Sequence, residues 1–240
     1  MVYEKLLNEI YAVVSLKYLW RGYKPSFVKS ESPDWINETM DMGLEVSQAL
    51  LPDDGQTKNF IEQYLGCLQE ELPPSALERY GERLNFYNGR VWAVLPDDPG
   101  RQDYLYKAKY RFDKKLEKLN TRYQQRRHNG LYLFLHPGDG DEIDVRHLYE
   151  YMGEKQRDCA QRFDWVFLNC RKVIYVCDYT EQQTENQIEK QIETIVLPQN
   201  AADFLNTESE YLRYCGTWED GMSLEDATDM FRRGDRQRNN

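Results

Sequence analysis

Two acidic residues carry the chemistry this sequence offers. Asp34 follows Pro33 in the turn Ser32-Pro33-Asp34, and Glu45 lies ten intervening residues later inside Gly43-Leu44-Glu45-Val46-Ser47. An acid in the turn before one strand and a second acid inside the next can meet at a hairpin edge. Two carboxylates converging there bind a hard divalent cation, Mg²⁺ or Mn²⁺, which demands oxygen ligands. Such an ion polarises a phosphodiester and lowers the pKa of a bound water. Glu45 interrupts an apolar run, so its direction decides its role. Facing inward it needs a partner or a metal, because an unpaired buried carboxylate is costly. Facing outward, with Leu44 and Val46 inward, it is an ordinary exposed glutamate.

A second charged feature stands beside the acids. Residues 103–127 carry nine lysines and arginines against three acids, a net of +6 in a chain whose total is −10. Lys107, Arg111, Lys114, Lys115, Lys118 and Arg122 make up a stripe suited to contacting phosphates, with DNA or RNA as the partner. The competing reading is a solvated helix face that pairs with acids elsewhere. The acidic total argues against a global grip on nucleic acid. Eighteen tyrosines and five tryptophans suit a Tyr-rich core and rim, with a protein partner or homodimer surface among their uses. Five cysteines without CxxC spacing exclude a disulfide framework and a zinc ribbon, and Cys170 and Cys177 read as buried thiols. The three histidines form no HExxH or HxH pattern, and neither GxxxxGK[ST] nor GxGxxG occurs. No stretch reaches the length of a membrane span, and the start of the chain is amphipathic, so a cytoplasmic protein without a membrane partner is expected.

The elements that must position these residues follow from periodicity. Leu6, Ile10, Val13 and Val14 predict a helix over 2–20, stopped by Gly22 and Pro25. Short strands follow near 26–29 and over 42–47, with Trp35-Ile36 between them. A helix with Phe60, Ile61, Tyr64 and Leu65 on one side is predicted to about Leu72, and a short one near 75–81. Asn88-Gly89 marks a tight turn before a strand at 91–95. Leu105, Ala108, Phe112, Leu116, Leu119 and Tyr123 predict the clearest helix, 103–126, ended by Asn129-Gly130. A strand over 131–135, a helix over 144–162, and strands at 165–168 and 173–177 complete a core over 1–180. Residues 181–240 read as an extension packed on that core. It has a polar segment at 180–191, a short strand at 195–197 and a disordered tail from 234. The fold class expected is α/β (α+β), a mixed central sheet flanked by helices.

With these residues in place, the chain resembles the PD-(D/E)xK nuclease-like superfamily. Motif likeness covers about residues 4–72, and element order extends it to 177. The Gly-Leu-Glu-Val-Ser form also resembles a Gly-Ile-Glu-Val-Thr strand of bacterial proteins assigned to that fold. The resemblance implies a restriction-endonuclease-like core, metal binding by Asp34 and Glu45, and nucleic-acid hydrolysis. It also implies a supplementary acid on the first helix, Glu4 or Glu9. Ser47 stands where the family has a lysine that orients or activates the attacking water. The site must then recruit another cation (Lys58, Lys115 or Lys118), use Gln48 or a water, or be inactive. The second reading is a catalytically inactive descendant serving as a binding or accessory protein.

Overall fold

The structure, a computed structural model, describes residues 2–24, 26–95, 104–135, 143–180, 188–198, 201–214, 222, 223 and 226. Its centre is a seven-stranded mixed sheet in the order β1-β2-β3-β6-β7-β8-β9. Strands β1 (Phe27–Lys29), β2 (Trp35–Asn37) and β3 (Met42–Gln48) form an antiparallel meander. β6 (His128–Phe134) then joins β3 in parallel, and β7 (Trp165–Asn169) joins β6 in parallel. β8 (Val173–Asp178) and β9 (Ile192–Val196) finish the sheet antiparallel.

Strand alternation divides the core in two. Met42, Leu44 and Val46 of β3, with Tyr132 of β6 and Phe167 of β7, face α1 (Val2–Leu19) and α7 (Ala201–Tyr214). Leu131, Leu133, Val166 and Leu168 face α4 (Tyr104–Thr121) and α5 (Val145–Gln156). Residues Ile10 to Leu16 of α1 are all buried because the helix lies between sheet and α7. A helix covered on both sides loses its polar face, hence the apolar run there, broken only by Ser15, whose buried hydroxyl donates to Ala12 O at 2.8 Å. A third cluster, built on Phe60, Tyr80 and Val91, holds α2 (Pro52–Tyr64), α3 (Pro74–Tyr80) and the hairpin β4 (Leu84–Tyr87) and β5 (Arg90–Val94) as a side module.

Several boundaries depart from the expected ones. α2 stops at Tyr64 because Gly66 takes φ +83°, a left-handed step that a helix cannot continue. Asn129-Gly130, expected to end the long helix, instead lies in β6. A Cβ on Gly130 would fall 2.5 Å from Met42 Cε and 3.0 Å from Leu44 Cδ1, so glycine there admits side chains from β3. α5 ends at Gln156 rather than 162. The hairpin turn holds: Asn88 and Gly89 have φ of 50° and 73°, and the strand before it, β4, is an addition.

The C-terminal segment contributes more than a docked strand. β9 extends the central sheet, a four-residue α6 (Ile188–Gln191) precedes it, and α7 packs on α1. Lys29 N donates to Met222 O at 2.8 Å and Val28 bridges to Ser223, so the edge of β1 is covered. The tail from 234 and residues 181–187 of the polar segment 180–191 lie outside the described residues. Burial pushes the Cys170 thiol up to about 12 and the buried Cys177 thiol also up, as inert core thiols require. Among the described residues, no helix is long and apolar enough to cross a membrane.

Gly43 links the fold to the acids. A Cβ there would lie 2.6 Å from Pro33 Cγ, and Pro33 directly precedes Asp34. Gly43→Ala therefore drives Pro33 away from β3, at a cost of about 1–3 kcal/mol typical of overpacking. A urea titration that leaves the variant as stable as the parent would refute this close packing.

Candidate active site

The meander brings the two acids together. Trp35 pairs with Leu44, so Asp34, one residue before β2, stands beside Glu45 on β3. Asp34 Oδ2 accepts a hydrogen bond from Val46 N at 2.8 Å, which ties the turn to the strand. Asp34 and Glu45 are 2% and 6% exposed, so the outward reading of Glu45 does not apply. Alternation turns Glu45 and Ser47 toward α4, and Gln48 toward the α1 face. The Gln48 backbone carbonyl accepts from Arg111 Nε at 3.0 Å.

Glu9 completes a group of three acids. Trp35 Nε1 donates to Glu9 O at 3.0 Å, fixing α1 against β2 so that the Glu9 carboxyl meets Asp34. Glu4, the other acid considered on this helix, lies outside the residues whose side chains are described. Burial and then the Asp34 charge raise the Glu9 pKa, and Lys29 and Lys5 only partly offset them. The Glu45 pKa is raised by the same two causes, against the pull of Lys115.

Each of the three acids has a lysine. Lys115 Nζ, from the middle of α4, donates to Glu45 Oε1 in a pair whose side chains are 10% and 7% exposed. Lys29 Nζ lies 3.1 Å from Glu9 Oε2. Lys5, 69% exposed, reaches in from solvent to 3.1 Å from Glu9 Oε1 and 3.5 Å from Asp34 Oδ1. Among the described residues, no three His, Cys, Asp or Glu side chains form a ready metal cage. The donors themselves are carboxylate oxygens, the ligand type hard divalent cations take. Tyr123, just past α4, also faces Glu45. Burial, followed by the charges of Glu45 and Asp34, pushes its pKa far up, so the hydroxyl stays protonated.

The basic stripe divides by its partners. Lys107, Arg111, Lys114, Lys115, Lys118 and Arg122 recur at three and four residues along one side of the helix, and Lys114, at the exposed border of that side, pairs with Glu117 at 3.1 Å. Lys107 is held 3.0 Å from Asp54 of α2. Lys118 and Arg122 are exposed, and neither has a carboxylate within ion-pair distance among the described residues. The charge of Lys115, then burial, lowers the Lys118 pKa, with Arg111 and Arg122 adding to the effect. Part of the stripe is thus neutralised, and part is a crowd of like charges beside the acids.

A cleft of about 390 Å³ opens next to this group, with Lys5, Glu9, Val46, Ser47, Arg111 and Lys115 among its walls. Of the lysines weighed from sequence, Lys115 reaches Glu45 and Lys58 lines the cleft from α2. Lys5 and Lys29 are not among the residues the sequence offers for the site, and Tyr123 enters there only as part of the apolar stripe of the long helix. They come from three separate segments, and only the folded sheet brings them together. Comparison with protein-family models, with curated proteins and with solved structures finds no match.

Proposed function

We propose that the chain is a divalent-metal-dependent phosphodiesterase acting on nucleic acid, of the PD-(D/E)xK-like kind. The observation that carries this reading is the Lys115 ammonium on the Glu45 carboxylate. Position 47 is serine, and α4 supplies a lysine to the second acid from another direction. Asp34 and Glu45 would hold the cation. Bound there, Mg²⁺ or Mn²⁺ supplies Lewis acidity toward the phosphodiester and a water of lowered pKa. Lys115 holds a fixed positive charge at that point, and fixed charge facing a developing anion is a large catalytic contribution. The Tyr123 hydroxyl, kept protonated, offers Glu45 a donor. Lys118 and Arg122 present unneutralised charge to the backbone of the substrate.

The test is cleavage of labelled single-stranded and duplex DNA and RNA with Mg²⁺, Mn²⁺ or EDTA. Cleavage is expected only with a divalent ion and is lost in Asp34→Ala and in Glu45→Ala. Undiminished cleavage in both variants overturns the reading.

One observation favours a non-catalytic binding or accessory protein instead: Glu9, Asp34 and Glu45 are already matched by Lys5, Lys29 and Lys115. In that case the ion pairs are the end state of the site. The outer face of the β4–β5 hairpin would then be a surface for a protein partner, since Tyr87 and Trp92 stand 66% and 64% exposed there with ring centroids 6.0 Å apart. A melting temperature that climbs by several degrees with Mn²⁺ counts against this reading, because a ligand that binds only the folded state stabilises it.

A further inference from the structure

We infer that the cleft beside the acids is a pocket for a single nucleotide unit of an unpaired strand, with its phosphate on the cleft's basic side chains and its base edge on carboxamides. The polymer to which this nucleotide belongs rests on the nucleic-acid reading above. The pocket itself rests on size, charge and lining chemistry.

At 390 Å³ the cleft stands near the low end of the roughly 300–1,000 Å³ that small-ligand sites occupy. It has room for one nucleotide and none for a double helix. Its walls carry four basic side chains, Lys5, Lys58, Arg111 and Lys115, against two acids, Glu9 and Glu62. Lys5 and Lys115 are matched by Glu9, Asp34 and Glu45, so the side chains that draw an anionic ligand are Arg111 and Lys58. Arg111 spends its Nε on the Gln48 carbonyl, which anchors the guanidinium while its terminal N–H groups remain as donors suited to phosphate oxygens.

The rest of the lining argues for a base rather than a bare anion. Asn8 comes from α1, and Gln56 and Asn59 from α2. A carboxamide presents a donor and an acceptor side by side, the arrangement that pairs with the edge of a base. Among the described residues, no aromatic ring lines the cleft, so recognition there works through hydrogen bonds and not through stacking. Pairing with carboxamides requires base edges that are not already paired, which is the condition of a single strand. Glu9 and Lys115 belong both to this cleft and to the acid cluster. A nucleotide seated here therefore places its phosphate beside Asp34 and Glu45, and the strand is cut at its end.

Calorimetric titration in EDTA with adenosine monophosphate, adenosine and inorganic phosphate tests the pocket apart from any catalysis. The monophosphate is expected to bind at least about tenfold tighter than either fragment, since phosphate and base contacts add. Arg111→Gln is expected to weaken the monophosphate about tenfold and adenosine little. Lys58→Met, on α2 and away from the buried pairs, serves as a second probe with the same direction. Monophosphate binding no tighter than that of inorganic phosphate, or none detectable at about 1 mM, overturns the pocket. With Mn²⁺, linear single strands are expected to be degraded and circular ones spared. Binding without any cleavage would sink the phosphodiesterase reading alone. Cleavage of circles without monophosphate binding would sink the pocket alone.

Discussion

Lys115→Met is expected to destabilise the protein by about 3–5 kcal/mol near neutral pH, the range for removing one partner of a buried ion pair. The size follows from what remains. Glu45 keeps its burial, the Asp34 charge beside it and the Tyr123 hydroxyl, but loses the ammonium that offsets the first two. The pH dependence distinguishes this cause from lost packing. Glu45 is a carboxyl whose folded pKa lies above its unfolded value, so the folded state holds its proton to higher pH. Its contribution to stability is fully present below the unfolded value and is lost as pH rises through the folded one. Without Lys115 the folded value climbs further, so the deficit is largest at neutral and alkaline pH. It shrinks as pH falls toward the ordinary carboxylate range. Urea titrations at about pH 5 and about pH 8 should therefore give a clearly smaller deficit at the acid end. An equal deficit at both would mean that Lys115 acts through its aliphatic stem. Glu45→Gln in the Lys115→Met background should recover part of the loss, and the double-mutant cycle reads the coupling.

The same pair shows where the sequence was readable. Pro33-Asp34 and Glu45 were legible because a turn acid and a strand acid in consecutive elements are near neighbours by construction. The partner of Glu45 was narrowed only to Lys58, Lys115 or Lys118, since sequence does not say how a helix is rotated over a sheet. Ala108, Phe112 and Leu119 fix that rotation by burying themselves against β6 and β7, and Lys115 then falls over Glu45. α7 escaped notice for a related reason. Leu205, Ser209 and Leu212 are its buried residues at four and three spacing, and the serine dilutes the apolar stripe. The Ser209 hydroxyl satisfies itself on Leu205 O at 2.6 Å, which makes its burial tolerable. Lys29 left no local signal, because it finds Glu9 from β1, and Lys5, four residues before Glu9 on α1, reads as an ordinary helix pair with no sign that it also reaches Asp34.

Moving the lysine from helix to strand is the most demanding test of the catalytic reading. Lys115→Met should lower kcat by about 10²–10³-fold, the usual loss when one preorganised electrostatic contact is removed. Ser47 lies two residues beyond Glu45 on the same strand, is half-buried and lines the cleft, with Val46 between them turned to the other face. A lysine at 47 starts on the correct side of the sheet and replaces a side chain that reaches the cleft wall. Ser47→Lys added to Lys115→Met should then restore kcat at least about tenfold, and stability with it, because the new ammonium again faces Glu45. Adding Ser47→Lys to the parent should gain much less, since two like charges would share one carboxylate. Recovery of stability without recovery of kcat would assign Lys115 a purely structural part. Parent-level cleavage by Lys115→Met itself would remove the ammonium from the chemistry altogether. The two positions make the claim specific: what the reaction requires is a positive charge at Glu45, from whichever element can deliver it.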